Sequence, residues 1–141
     1  MTPVLAGLVH GLGLAALAMV IGGLVLDQVI LPAGLSELAS ARARLRRLIT
    51  GCLGLLLLAT IAELVVRTQA MSRASLAAVI SSLPEVVRGT HLGAVLAVRA
   101  GALVFAWLLS RATVTALRVL CLVIGLGIAL TISLTGHAAD W

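Results

Sequence analysis

The chain reads as an all-α membrane protein: a four-helix transmembrane bundle, antiparallel and up-down, with a short amphipathic helix in an outer loop. Three observations predict this. Of 141 residues, 62% are hydrophobic and 11% charged, against roughly 45–50% and 25% in soluble domains. Four apolar runs come close to the ~20 residues a bilayer crossing takes. The two-residue alternation of a β-barrel strand is absent. The same balance excludes disorder, which needs low hydrophobicity and high charge. A net charge of +5 invites a nucleic-acid reading, but such proteins stack bases on aromatic side chains. Aromatics here are 2% of the chain, namely Phe105, Trp107 and Trp141, and most arginines stand between apolar runs. The charge is a topology signal, and the partner it implies is the lipid bilayer, with no nucleic acid.

The spans fall at about 4–26, 48–66, 91–110 and 119–135, within a single domain over 1–141. The first has no basic stretch ahead of it and runs at once into a basic loop, so it reads as a span rather than a cleaved signal. Arg42, Arg44, Arg46 and Arg47 lie between spans one and two, and Arg111 and Arg118 between spans three and four. These six share a side, against Arg67, Arg73 and Arg88 on the other, so by the positive-inside rule the six face the cytoplasm. Both termini are then extracytoplasmic. In the outer loop, Leu76, Val79, Ile80, Leu83, Val86 and Val87 recur at three- and four-residue spacing, the period of an amphipathic helix. Ser72 is placed to cap it, and Pro84 to break it into two short pieces. Such a segment lies on the membrane surface as a connector or as a lid.

Ionisable groups inside a span cost at least ~2.5–3.5 kcal/mol on insertion scales, so each asks for a reason. His10 lies six residues into the first span, ~9 Å below its outer end. His91 opens the third span and His137 closes the fourth. The three histidines thus share the outer half of the membrane on three helices, a donor set suited to copper; the plainer reading is two interface residues and one hydrogen-bonded core histidine. Met71, in the outer loop, is a marginal fourth ligand. Cys52 and Cys121 sit near the cytoplasmic ends of spans two and four, where a disulfide is not expected; they are packing residues or thiols for Cu(I). Arg99 lies ~12 Å deeper than His91, too deep to snorkel, and Glu63 is the expected buried partner, with Arg67 one turn beyond Glu63. That pair either sets helix register or repels or gates a cation. Asp27 reads as an end-of-helix charge. In the fourth span Cys121, Gly125, Ala129, Ser133 and His137 recur every four residues, and Gly7 and Gly11 pair in the first; both suit close packing within the bundle or between copies of a homo-oligomer.

The end of the fourth span, Ser133-Leu134-Thr135-Gly136-His137-Ala138-Ala139, resembles the CopD/PcoD copper-resistance family. So do His10 followed by Gly22-Gly23, and Thr90-His91-Leu92-Gly93 with Arg99 six residues on. The resemblance covers nearly the whole chain, although the tryptophan common before the first-span glycines and a methionine-rich outer segment are missing. It implies copper handling at a bacterial inner membrane, in uptake, transfer or resistance, with a periplasmic copper chaperone as a possible partner. It also implies that this four-helix unit corresponds to the membrane-embedded C-terminal domain of longer members. No phosphate-binding glycine-lysine loop is present, so any transport is passive or partner-driven, and no enzymatic activity is expected. The alternative is a b-type haem or porphyrin-binding redox protein, with His10 and His91 or His137 on the iron and Arg99 on a propionate. The third reading is a structural subunit without a ligand.

Overall fold

Each long helix carries one inward stripe and leaves much of the rest of its circumference apolar and outward, the pattern of helices packed together in lipid. In a computed structural model, which describes residues 3–30, 38–72, 75–111 and 115–137, the described secondary structure is helical throughout. Pro3 opens α1 (Pro3–Val25), where its missing N–H costs nothing. Gly13, Ala16, Leu17, Val20, Gly23, Leu24 and Asp27 form its buried stripe, with Leu8, Leu12 and Met19 facing out. A π-helical turn, Leu26–Ile30, continues α1 and carries Asp27.

Helix α2 (Ala39–Ser72) has 34 residues, ~51 Å at 1.5 Å per residue, so it overruns a ~30 Å hydrocarbon core. Its first turns include Arg42, Arg44, Arg46 and Arg47; the stretch read from sequence as a cytoplasmic loop is therefore helical, because arginine is a good helix former. Its inward stripe repeats at three and four residues: Ile49, Leu53, Leu56 and Thr60 are buried, followed by the partly buried Glu63 and Arg67. The Thr60 hydroxyl donates to Leu56 O at 2.9 Å, so its burial leaves no bare donor.

The outer segment is one helix, α3 (Leu76–Gly89), with Pro84 inside it. This corrects the expected break. Pro84 and Ile80, whose carbonyl loses its helical donor, are both on the exposed face, and the flanking hydroxyls of Ser81 and Ser82 bond back to Ala78 O and Val79 O. The cap is Ser75 rather than Ser72, which ends α2, and Ser75 makes no side-chain cap bond. Thr90 separates α3 from α4 (His91–Leu109) and serves both: its N–H donates to Val86 O, and its hydroxyl oxygen accepts from Gly93 N at 3.0 Å. Gly93 is where the two helices touch, since a Cβ there would run into the Val86 carbonyl.

Helix α5 (Thr115–His137) packs on α4 and α1, α1 packs most extensively on α2, and α3 covers α2 and α4. The core holds Leu17, Val20, Ile49, Leu53, Leu103 and Ile128 among others. Gly125 faces Ile21 on α1, so the upper part of the small-residue row is internal packing. Gly7 and Gly11 have no such neighbour. Stretches 7–30, 39–69 and 91–109 are long and apolar enough to cross a membrane; in α5 the apolar stretch is the shorter Ala116–Ile132.

Candidate functional site

Arg99 on α4 is 2% exposed, and its burial organises one end of the molecule. Its Nη1 lies 3.3 Å from Glu63 Oε2 on α2, and its Nε donates to Thr131 Oγ1 on α5 at 3.1 Å. Thr131 in turn donates to Ile128 O within its own helix at 2.7 Å. Glu63 Oε1 takes Arg67 Nη2 at 2.7 Å, one turn along α2. One carboxylate therefore holds two guanidiniums. The buried charge is spread over three helices rather than left to one pair, as a deep arginine requires.

His10 adjoins this network from α1. It lines, with Val9, Glu63, Val66 and Arg67, a crevice of about 100 Å³. A smaller pocket of about 20 Å³ continues inward, lined by His10, Glu63, Thr60, Arg99 and Ile132 among others. His10 itself is exposed at the mouth. His10 and Glu63 line both pockets, with Arg67 at the larger and Arg99 at the smaller. Glu63 there is already bound by Arg67 and Arg99.

The other sequence candidates are distributed as follows. His91 is exposed at the start of α4 and does not line either pocket. The side chains of His137 and Met71 lie outside the described residues. Among the described residues no three of His, Cys, Asp and Glu come together as a metal cluster. Cys52 and Cys121 are both free thiols; Cys121 is buried with its Sγ 3.5 Å from Ala106 O, and Cys52 packs against the core.

Sequence reasoning missed the opposite end. Asp27 is no simple end-of-helix charge: it is buried, with its carboxylate 3.1 Å from Arg42 Nε, and 3.5 Å from both Arg46 Nε and Arg118 Nη1. Gln28 Nε2 adds a 3.0 Å bond to Arg118 O, tying the π-turn to α5. Nearby, Thr50 Oγ1 and Ser110 Oγ are 3.4 Å apart, which sets the end of α4 beside the first turns of α2. The signal was present in sequence, since Asp27 continues the three- and four-residue stripe of α1 and Arg42 and Arg46 share one face of α2.

Searches of curated proteins and of solved structures return no match. A family model does match, over residues 1–141, and its description is of an N-terminal domain, not the C-terminal unit that the sequence resemblance implied. With a membrane-type helical fold and a match over its full length, the chain belongs to the copper resistance protein D-like, N-terminal domain family.

Proposed function

We propose that this copper-resistance-related membrane protein takes up copper as cargo at its extracytoplasmic face, through His10 at the mouth of the crevice it shares with Glu63. In this reading α1, α2, α4 and α5 are four up-down spans, α5 crossing with its apolar 116–132 stretch and the turn that follows. The Asp27 end, with six of the ten arginines, faces the cytoplasm, and the His10 end and both termini face outward. His91 and His137, at the outer ends of α4 and α5, are the further imidazole ligands, and Met71 a weaker thioether one.

The observation that carries the reading is the common crevice of His10 and the Glu63–Arg67–Arg99 network. Neutral imidazoles suit copper, while a carboxylate neutralised by two arginines does not compete for it. Arg99 beneath the mouth presents a fixed positive charge, which opposes a bare cation moving inward and holds the ion near the surface for transfer. The crevice volume favours an ion over the haem alternative: cofactor pockets occupy roughly 300–1,000 Å³.

The test is copper affinity and stoichiometry of the full chain in nanodiscs. His10→Ala and His137→Ala are each expected to weaken binding by about tenfold or more, His91→Ala by less, and Cys52→Ser and Cys121→Ser hardly at all. Wild-type binding in a His10→Ala/His137→Ala double variant would overturn the site. A Soret band in the gently purified protein would favour haem instead.

A further inference from the structure

We propose that α1 is a rocking lever on α2, and that the ion-pair junction at Asp27 is the latch that holds it with the His10 crevice open. The device rests on the fold and not on the copper reading. Helix α1 and its π-helical turn run on from Pro3 to Ile30, so the two ends move together. At the Asp27 end the lever is shut against its neighbours. The Asp27 carboxylate, 2% exposed, lies 3.1 Å from Arg42 Nε and 3.5 Å from Arg46 Nε on α2, and 3.5 Å from Arg118 Nη1 on α5. Gln28 Nε2 adds its bond to Arg118 O. At the other end the same two helices part: the crevice runs between Val9 and His10 of α1 and Glu63, Val66 and Arg67 of α2. One helix pair is closed at one end and open at the other.

A fulcrum lies between them. A Cβ on Gly23 would come within 2.8 Å of Ile49 Cγ1, and one on Gly13 would lie 3.8 Å from Ala59 Cβ, so the α1 backbone rests directly on α2 at two glycines. Small residues allow such close approach of helices, and small rigid shifts of packed helices are an established form of switching. The latch is ionic and sits on a π-turn, a feature frequent at functional points in helices. The fulcrum is apolar. Losing the carboxylate therefore frees one end and leaves the middle in place. A freed lever moves in opposite senses: its Asp27 end leaves α2 and α5, and its His10 end swings in on α2 and narrows the crevice.

Two thiols read the two ends. Cys121 is 1% exposed and stands on α5 between Arg118, which meets Gln28, and Gly125, which faces Ile21, so α1 runs beside it. Val66→Cys, in a Cys52→Ser/Cys121→Ser background, reports the crevice wall. The full chain in metal-free neutral detergent is labelled with a maleimide, with and without Asp27→Asn; Cys121 is read in a Cys52→Ser background. Asp27→Asn is expected to speed labelling of Cys121 by about tenfold or more, and to slow that of Val66→Cys by about threefold or more. A junction that only stabilises the bundle would give faster labelling at both positions. Faster or unchanged labelling of Val66→Cys, or no gain at Cys121, overturns the lever. If Asp27→Asn does not fold, Arg46→Gln, which leaves Asp27 two arginines, is expected to shift the two rates in the same opposite senses by about twofold or more. Shifts of like sign, or none, overturn the proposal there too.

Discussion

At the scale of single residues, Arg99 and Glu63 are unequal partners. Glu63 keeps Arg67 at 2.7 Å if Arg99 is lost, whereas Arg99, 2% exposed, loses the carboxylate 3.3 Å from its Nη1 if Glu63 is lost. Stranding a buried charge is the larger penalty, about 3 kcal/mol or more. Glu63→Leu is therefore expected to destabilise the protein more than Arg99→Leu. The double variant should be milder than the sum of the singles by about 1 kcal/mol or more. Thermal unfolding in detergent measures all three; additivity would show that the pair carries no coupling, and the reverse order that Arg99 is not the more costly charge to strand. This pairing was legible in the sequence because a deep arginine must find an anion, and Glu63 is the carboxylate at that depth. Thr131 was not legible, since a hydroxyl inside a span satisfies itself on its own backbone and leaves no compositional trace. The convergence of His10 on Glu63 was not legible either: depth along a helix can be counted from sequence, but rotation toward a neighbour cannot.

At the scale of elements, Gly93 and the paired glycines of α1 make opposite predictions. A Cβ on Gly93 meets the Val86 carbonyl and lies 2.8 Å from Val87 Cα, and backbone does not swing away as a side-chain tip does. Gly93→Ala should cost about 1–3 kcal/mol by overpacking and loosen α3 from α4. Gly7→Ala and Gly11→Ala meet nothing within 4 Å and should be neutral, or stabilising by up to about 1 kcal/mol through helix propensity. Unfolding midpoints check both; a neutral Gly93→Ala would mean α3 does not rest on α4 as described. The existence of α3 could be read from its three- and four-residue apolar spacing. Its continuity through Pro84 could not, because the cost of a mid-helix proline depends on whether the orphaned carbonyl points outward, and that is set by how α3 lies on its neighbours. The length of α2 exceeded its apolar run for a related reason. Hydropathy locates the part in lipid, while arginine-rich turns continue the helix beyond it.

For the whole molecule, the proposed orientation, with the Asp27 end cytoplasmic, is the one that arginine placement predicts. In a Cys52→Ser/Cys121→Ser background, Arg44→Cys should resist a membrane-impermeant maleimide added outside intact cells. Glu85→Cys, on the exposed face of α3, should react at once. The opposite pattern would invert the topology and, with it, place His10 on the wrong side for incoming copper. Membrane class, helical fold and the family all follow from the sequence alone, because the bilayer imposes length and hydropathy on each segment independently of its neighbours. Which helices meet was decided only by the tertiary structure: the burial of Asp27 beneath three arginines, the bond of Arg99 to Thr131 on α5, and the meeting of His10 with Glu63 in one crevice. The physical reason is that lipid-facing and bundle-facing positions are equally apolar here. Composition therefore shows that a helix crosses but not which face turns inward, and that choice is made by close packing of backbone and by the need of each buried charge for a partner on another helix.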